Sequence, residues 1–251
     1  MSPLLPGTWV RRQAFSRAEG TFETWFAFSR DSLPVLAACH GQFLATAELS
    51  YYQTLRIEAR QRSFLIGRLC VKEALAALLN SSARTSWEVS HGVFQQPVLK
   101  GAGTQKPQTS LSHAETVGMA VVHPEGHPVG VDIELIHAGR RETVESQMTA
   151  DELSRAAVLG GNAEENLMLM WSAKEALSKV LRTSLMTPFA VYELESLGWA
   201  DGCLLGAFKN FAQYRAIAFP MGNLAFAVVL PKSSEPKVSL HEFRRSLSGL
   251  D

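Results

Sequence analysis

The chain has 251 residues, is 46% hydrophobic and 19% charged, and sets 24 basic side chains against 24 acidic ones. That composition suits a chain with a sizeable core and excludes a disordered chain or a strongly cationic nucleic-acid binder. The length allows one large domain or two of roughly 100–130 residues, and no stretch approaches the roughly 18–20 apolar residues that span a bilayer.

In chain order, the opening MSPLLPGTW shows neither the basic region nor the apolar run of a secretory leader. Phe22 to Phe28 alternates loosely and reads as a strand. Ser50 with Gln53 forms a capping-box pattern, which predicts a helical region from there to about Leu79 with one break near Gln61. Within it Leu65, Leu69, Leu75 and Leu79 recur at helical spacing, and Arg56, Arg60, Arg62, Arg68 and Lys72 gather in the same helical region. Trp87 to Phe94 reads as a strand and Gly101 to Gln108 as a loop. Val117–Val122 and Val129–Leu135 are β-rich runs about the turn His123–Gly126. Thr149 with Glu152 is a second capping box, opening a short helix that stops at Gly160-Gly161. Asn162 with Glu165 opens another towards Arg182. Val191–Leu197, Cys203–Phe208, Tyr214–Phe219 and Leu224–Leu230 return to β, and the polar tail carries an amphipathic stretch, Leu240–Leu247. Cys39, Cys70 and Cys203 are far apart and odd in number, which predicts a reducing cytoplasm and no thiolate metal site.

The order of elements predicts an α+β fold of two similar halves, each a helix packed on a small, mainly antiparallel sheet. The expected boundaries are residues 1–122, 123–231 and a tail, 232–251. No residue-level repeat is evident, so the duplication rests on the pattern of elements alone.

Four groups of residues can carry chemistry. In Gly130-Val131-Asp132-Ile133-Glu134, a strand puts Asp132 and Glu134 on one face, about 7 Å apart. Hard carboxylate oxygens so placed suit Mg²⁺, although an acidic pair on a solvent-facing edge strand is an ordinary feature as well. In Trp171–Lys179, Glu175 and Lys179 stand one helical turn apart, as a third ligand with a phosphate-holding lysine or as a simple surface ion pair. Ser112-His113 can grip a phosphate. A serine hydrolase is disfavoured, because neighbours on a strand face opposite ways and no G-x-S-x-G elbow occurs. The basic helix can neutralise nucleotide phosphates or be a solvated face.

Read together, LIGRLCVKEAL, SLSHA, GVDIE and WSAKEALSK resemble, in that order, the Sfp-type 4′-phosphopantetheinyl transferases. FQQPVL supplies the family's Pro-containing loop, and the resemblance spans roughly Leu49 to Arg182. Departures are Gln96, where many members have Lys or Arg, Ser110 for a frequent Asn, and Ala114 for a frequent Ser. The resemblance implies a pseudo-dimer with one active site in the cleft between its halves, and hence a monomer. It implies that Asp132, Glu134 and Glu175 hold Mg²⁺, that Arg62, Arg68, Lys72, Ser112 and His113 contact coenzyme A, and that Lys179 meets the reacting phosphates. Glu175 and Lys179 would be the catalytic pair. The reaction implied is transfer of 4′-phosphopantetheine from coenzyme A to a serine of an apo acyl or peptidyl carrier protein, with 3′,5′-ADP released and neither nucleic acid nor membrane involved. A non-catalytic binding module for coenzyme A or a carrier protein, or an unrelated Mg²⁺-dependent phosphohydrolase, is the alternative.

Overall fold

A computed structural model describes residues 5, 7–103, 106–115, 117–183 and 187–248. The loop expected over Gly101–Gln108 therefore lies partly outside the described residues. The chain divides into two compact units, Met1–Ala14 with Phe22–Pro128, and Phe15–Thr21 with Val129–Asp251.

The first unit holds strands β1 (Thr8–Arg17) as far as Ala14 and β2 (Gly20–Ser29) from Phe22, helices α1 (Leu33–Cys39), α2 (Thr46–Tyr52) and α3 (Glu58–Leu79), and strands β3 (Glu88–His91), β4 (Pro97–Lys100), β5 (Gln108–Ala114) and β6 (Val117–His123). Its main sheet runs β1-β2-β6-β5, and β3 and β4 form a separate hairpin. Long helix α3 lies on β5 and β6. Its middle, Leu65 to Ala76, is buried on every side, with the charged Arg68, Lys72 and Glu73 sealed in among apolar residues. Leu65, Ile66, Leu69 and Ala74 fill the space against Ala27, Ala120 and Val122.

The helical region differs from the capping-box expectation at its start. Ala45, not Ser50, precedes the first turn, and the carboxylate of Glu48 accepts the Ala45 N–H at 2.7 Å. Ser50 sits inside α2 and donates to the Thr46 carbonyl at 3.0 Å. Glutamate at the third helical position reaches back to the cap whatever residue occupies the cap itself. The break falls between Tyr52 and Glu58, ahead of Gln61.

The second unit holds β7 (Gly130–Leu135), α4 (Arg141–Glu145), α5 (Ala150–Val158), α6 (Ala163–Leu181), β8 (Leu194–Ala200), β9 (Cys203–Phe208), β10 (Tyr214–Met221), β11 (Leu224–Pro231), β12 (Glu235–Pro236) and α7 (Leu240–Ser248). Its antiparallel sheet runs β7-β11-β10-β9-β8, with α6 across β7, β11 and β10. Thr149 caps α5 as its sequence indicates, with reciprocal bonds between Thr149 and Glu152. Strand β8 begins at Leu194, after a 3-10 turn over Phe189–Tyr192 that takes the place of the expected Val191 start. The stretch after Pro231 is packed rather than a polar trailing end. Strand β12 pairs with Phe15 and Ser16, and Phe243 and Leu247 of α7 are fully buried. Each unit is thus a long helix on an antiparallel sheet, and the α+β reading holds.

The units also share a repeat at residue level, contrary to the sequence expectation. Lys72-Glu73-Ala74-Leu75 in α3 recurs as Lys174-Glu175-Ala176-Leu177 in α6. In the first unit the Glu48 carboxylate receives the Lys72 ammonium at 2.7 Å, the Ala45 N–H at the helix start, and the Val89 N–H of β3 at 2.8 Å. In the second the Glu152 carboxylate receives the Lys174 ammonium at 2.8 Å, the Thr149 N–H at 2.8 Å, and the Leu194 N–H of β8 at 3.0 Å. Both long helices end in a left-handed residue, Asn80 at φ 46° and Arg182 at φ 58°. The next N–H then bonds back to Ala76 at 3.1 Å in one and to Ser178 at 3.0 Å in the other. A buried lysine is tolerated in each helix because it meets a carboxylate and backbone carbonyls together.

Candidate active site

Strand β7 is the edge of its sheet, and its residues pair with β11 so that Asp132 lies opposite Ala227 and Glu134 opposite Ala225. Those alanines line the core beneath α6, so both carboxylates project to the helix side against small neighbours. Val131 and Ile133 lie opposite Val228 and Phe226 on the other face. Gly130 lets the strand approach the helix: a Cβ there would run into the Ala176 carbonyl and the Val180 side chain. That close approach brings Glu175 of α6 down onto β7.

The outcome is a cluster in which one oxygen from each of Asp132, Glu134 and Glu175 lies within 4.8 Å of the others. Asp132 is 1% exposed, while Glu134 and Glu175 are half-buried. Lys179, one turn beyond Glu175, donates to Asp132 Oδ1 at 2.7 Å and to the Val131 carbonyl at 3.1 Å. Arg140, which precedes α4, donates to Glu134 and places its guanidinium 5.9 Å from the centre of the Trp171 ring. Trp171 stacks on Phe189 at 4.6 Å.

Burial and the neighbouring charges of Asp132 and Glu134 push the Glu175 carboxyl up to about 7, with Lys179 and Arg140 opposing the rise. Burial and Asp132 raise Glu134 as well, against the bond from Arg140. Three crowded carboxylates with two resisting ionisation are a donor set with charge to spare. All the donors are hard oxygens, which fits a magnesium-class cation.

The basic helix places its side chains less uniformly than its sequence suggests. Lys72, expected near nucleotide phosphates, is fully buried. Its ammonium meets Glu48, the carbonyls of Phe43 at 3.1 Å and Arg84 at 3.2 Å, and that of Trp87. Three N–H groups facing four oxygens leave nothing for a phosphate, which corrects that expectation. Arg68 is 6% exposed, with its guanidinium over Phe64 at 4.5 Å and 3.4 Å from His91. It borders a hollow of about 170 Å³ with Tyr51, Ser90 and His91. Arg62 turns towards the carbonyls of Glu115 and, at 3.1 Å, Asp31. Gln96, one of the departures, accepts the Phe94 N–H at 2.9 Å and so serves the β3–β4 turn.

On β5, Ser112 is buried and His113 exposed, as alternation requires. His113 lines a cavity of about 380 Å³ with Tyr51, Arg60, Ser63, Phe64 and His91. Sequence reasoning named Arg60 only as one cation among several, and missed Tyr51, His91 and Arg140. Arg140 follows Glu134 by six residues, which is no recognisable spacing; only the turn after β7 brings it back.

Three comparisons bear on the chain. Residues 128–229 match the family model of the 4′-phosphopantetheinyl transferase superfamily. Among curated proteins nothing matches. Among solved structures, one similar chain is the crystal structure of Thermotoga maritima holo-[acyl-carrier-protein] synthase, at 22% identity and a TM-score of 0.32, covering 50% of this chain and 67% of that one. The candidate cluster and its partners all lie within the stretch that is similar to the 4′-phosphopantetheinyl transferase superfamily.

Proposed function

We propose that this protein is an Sfp-type 4′-phosphopantetheinyl transferase, moving phosphopantetheine from coenzyme A to a serine of an apo acyl or peptidyl carrier protein. The observation that carries the reading is the carboxylate cluster with Lys179 bonded into it, inside the stretch matched to the superfamily. Asp132, Glu134 and Glu175 would hold a Mg²⁺ ion, which supplies Lewis-acid neutralisation of pyrophosphate charge.

The remaining steps fall to the protein's own groups. The serine hydroxyl attacks the β-phosphorus of coenzyme A; a new P–O bond forms, the bond to the bridging oxygen breaks, and 3′,5′-ADP departs. Glu175, one helical turn from Lys179, is the group proposed to take the serine proton. Lys179 is a quarter exposed and offers its ammonium to the non-bridging oxygens as their charge grows. In the first unit, His113 and Arg60 are the groups proposed to meet the phosphates of the nucleotide end, with Arg68 at its hollow. Ser112 and Arg62 would act beside them. A cytoplasmic monomer is the form proposed.

The test is the release of 3′,5′-ADP from coenzyme A, followed by chromatography. Release that needs both carrier protein and Mg²⁺, and stops in Asp132→Asn, is expected. Release of inorganic phosphate without carrier protein would overturn the reading in favour of a phosphohydrolase.

A further inference from the structure

We propose that Arg140 is a resident counter-ion of the carboxylate cluster, which holds Glu134 until a divalent cation claims that oxygen, and so sets how tightly the protein binds metal. The inference rests on reading Asp132, Glu134 and Glu175 as a divalent-cation site.

Two cations face the three carboxylates, and they are held differently. Lys179 stands on α6 and bonds both Asp132 and the Val131 carbonyl, so it is fixed by helix and strand together. Arg140 closes the short turn Ala138–Arg140, with a side chain 36% exposed. Its contacts are the Glu134 carboxylate and the face of Trp171. Trp171 is 9% exposed and stacked on Phe189, so that face is a rigid platform. A planar guanidinium can slide over an aromatic face at little cost while keeping its charge partly neutralised. Arg140 therefore has somewhere to go when Glu134 changes partner, whereas Lys179 does not.

The consequence follows from charge and from occupancy. The guanidinium contacts a Glu134 oxygen, which is half of what that side chain can offer a metal. Its positive charge also repels an arriving cation across a half-buried site, where screening by water is incomplete. Removing Arg140 relieves both, so metal binding should tighten. A purely positioning role predicts the opposite: without its partner Glu134 would swing away and metal binding would weaken.

The experiment is a Mn²⁺ titration of the full chain without coenzyme A, followed by the loss of the free-ion paramagnetic signal. Asp132→Asn serves as the site control, and circular dichroism shows that each variant is folded. Arg140→Gln should bind Mn²⁺ about fivefold more tightly than the unaltered protein. Arg140→Lys, which retains the charge, should stay within about twofold of it. An unchanged or weakened affinity in Arg140→Gln overturns the counter-ion role, and leaves the metal site standing if Asp132→Asn has lost its Mn²⁺. Failure of the unaltered protein to bind Mn²⁺, or binding that survives Asp132→Asn, overturns the metal site and this inference with it.

Discussion

Glu175 is pressed from three directions: burial, Asp132 and Glu134 all oppose its ionisation. In the unfolded chain it would ionise near 4.5, so between that value and about 7 the unfolded state loses its proton first. Stability from this group therefore falls as pH rises through that window and levels off above it, by about 3 kcal/mol at most. A bound divalent cation removes the penalty, so the melting point should rise more on adding Mg²⁺ at pH 8 than at pH 5.5. Equal gains at both pH values would count against it. Glu175→Gln should lower the transfer rate by about 10³-fold or more, while raising the melting point of the metal-free protein at pH 8. At this scale the sequence already carried much of the site. Asp132 and Glu134 are legible because alternation in a strand is a local rule, and Glu175 and Lys179 because helical spacing is one too. Arg140 and the sealing of Lys72 were not, because each depends on a partner that only tertiary packing supplies.

At the scale of elements, the two long helices are fixed by the same device, a buried lysine bonded to the glutamate three residues into a preceding helix. Lys174→Met leaves Glu152 buried beside two backbone donors but without its counter-charge, which should cost about 3–5 kcal/mol in denaturant unfolding. Replacing both members, as Glu152→Leu with Lys174→Met, should cost less than the single change, since no charge is left stranded. A larger loss in the pair would refute the charge-pairing explanation. The repeated Lys-Glu-Ala-Leu was in plain view in the sequence. What hid the repeat is that each glutamate partner lies 24 and 22 residues away on another helix. Gly130→Ala addresses the contact between β7 and α6. Overpacking there should cost about 1–3 kcal/mol and depress transfer even in folded protein, because Asp132 and Glu134 would be pushed from Glu175. The shift of the α2 cap from Ser50 to Ala45 shows why capping patterns mislead: Glu48 caps through its own carboxylate, and the residue before the helix is alanine.

Over the whole molecule, the long helices and the strands of the second unit were readable because hydrophobic period separates strands from helices, whereas β1, α1 and the β3–β4 hairpin were not. The amphipathic stretch Leu240–Leu247 was read and coincides with α7, but the burial of Phe243 and Leu247 was not, since the helix is polar on balance. Among the described residues no helix is long and apolar enough to cross a membrane. The superfamily match and the carboxylate cluster coincide in the second unit, and together they make transfer to a carrier protein the claim to test. The direct measurement is the intact mass of an apo carrier protein after incubation with this protein, coenzyme A and Mg²⁺. A gain of roughly 340 Da on the carrier, abolished by EDTA and restored by Mg²⁺, is the expected result. No gain on either an acyl or a peptidyl carrier, from protein that demonstrably binds coenzyme A and Mg²⁺, would contradict it.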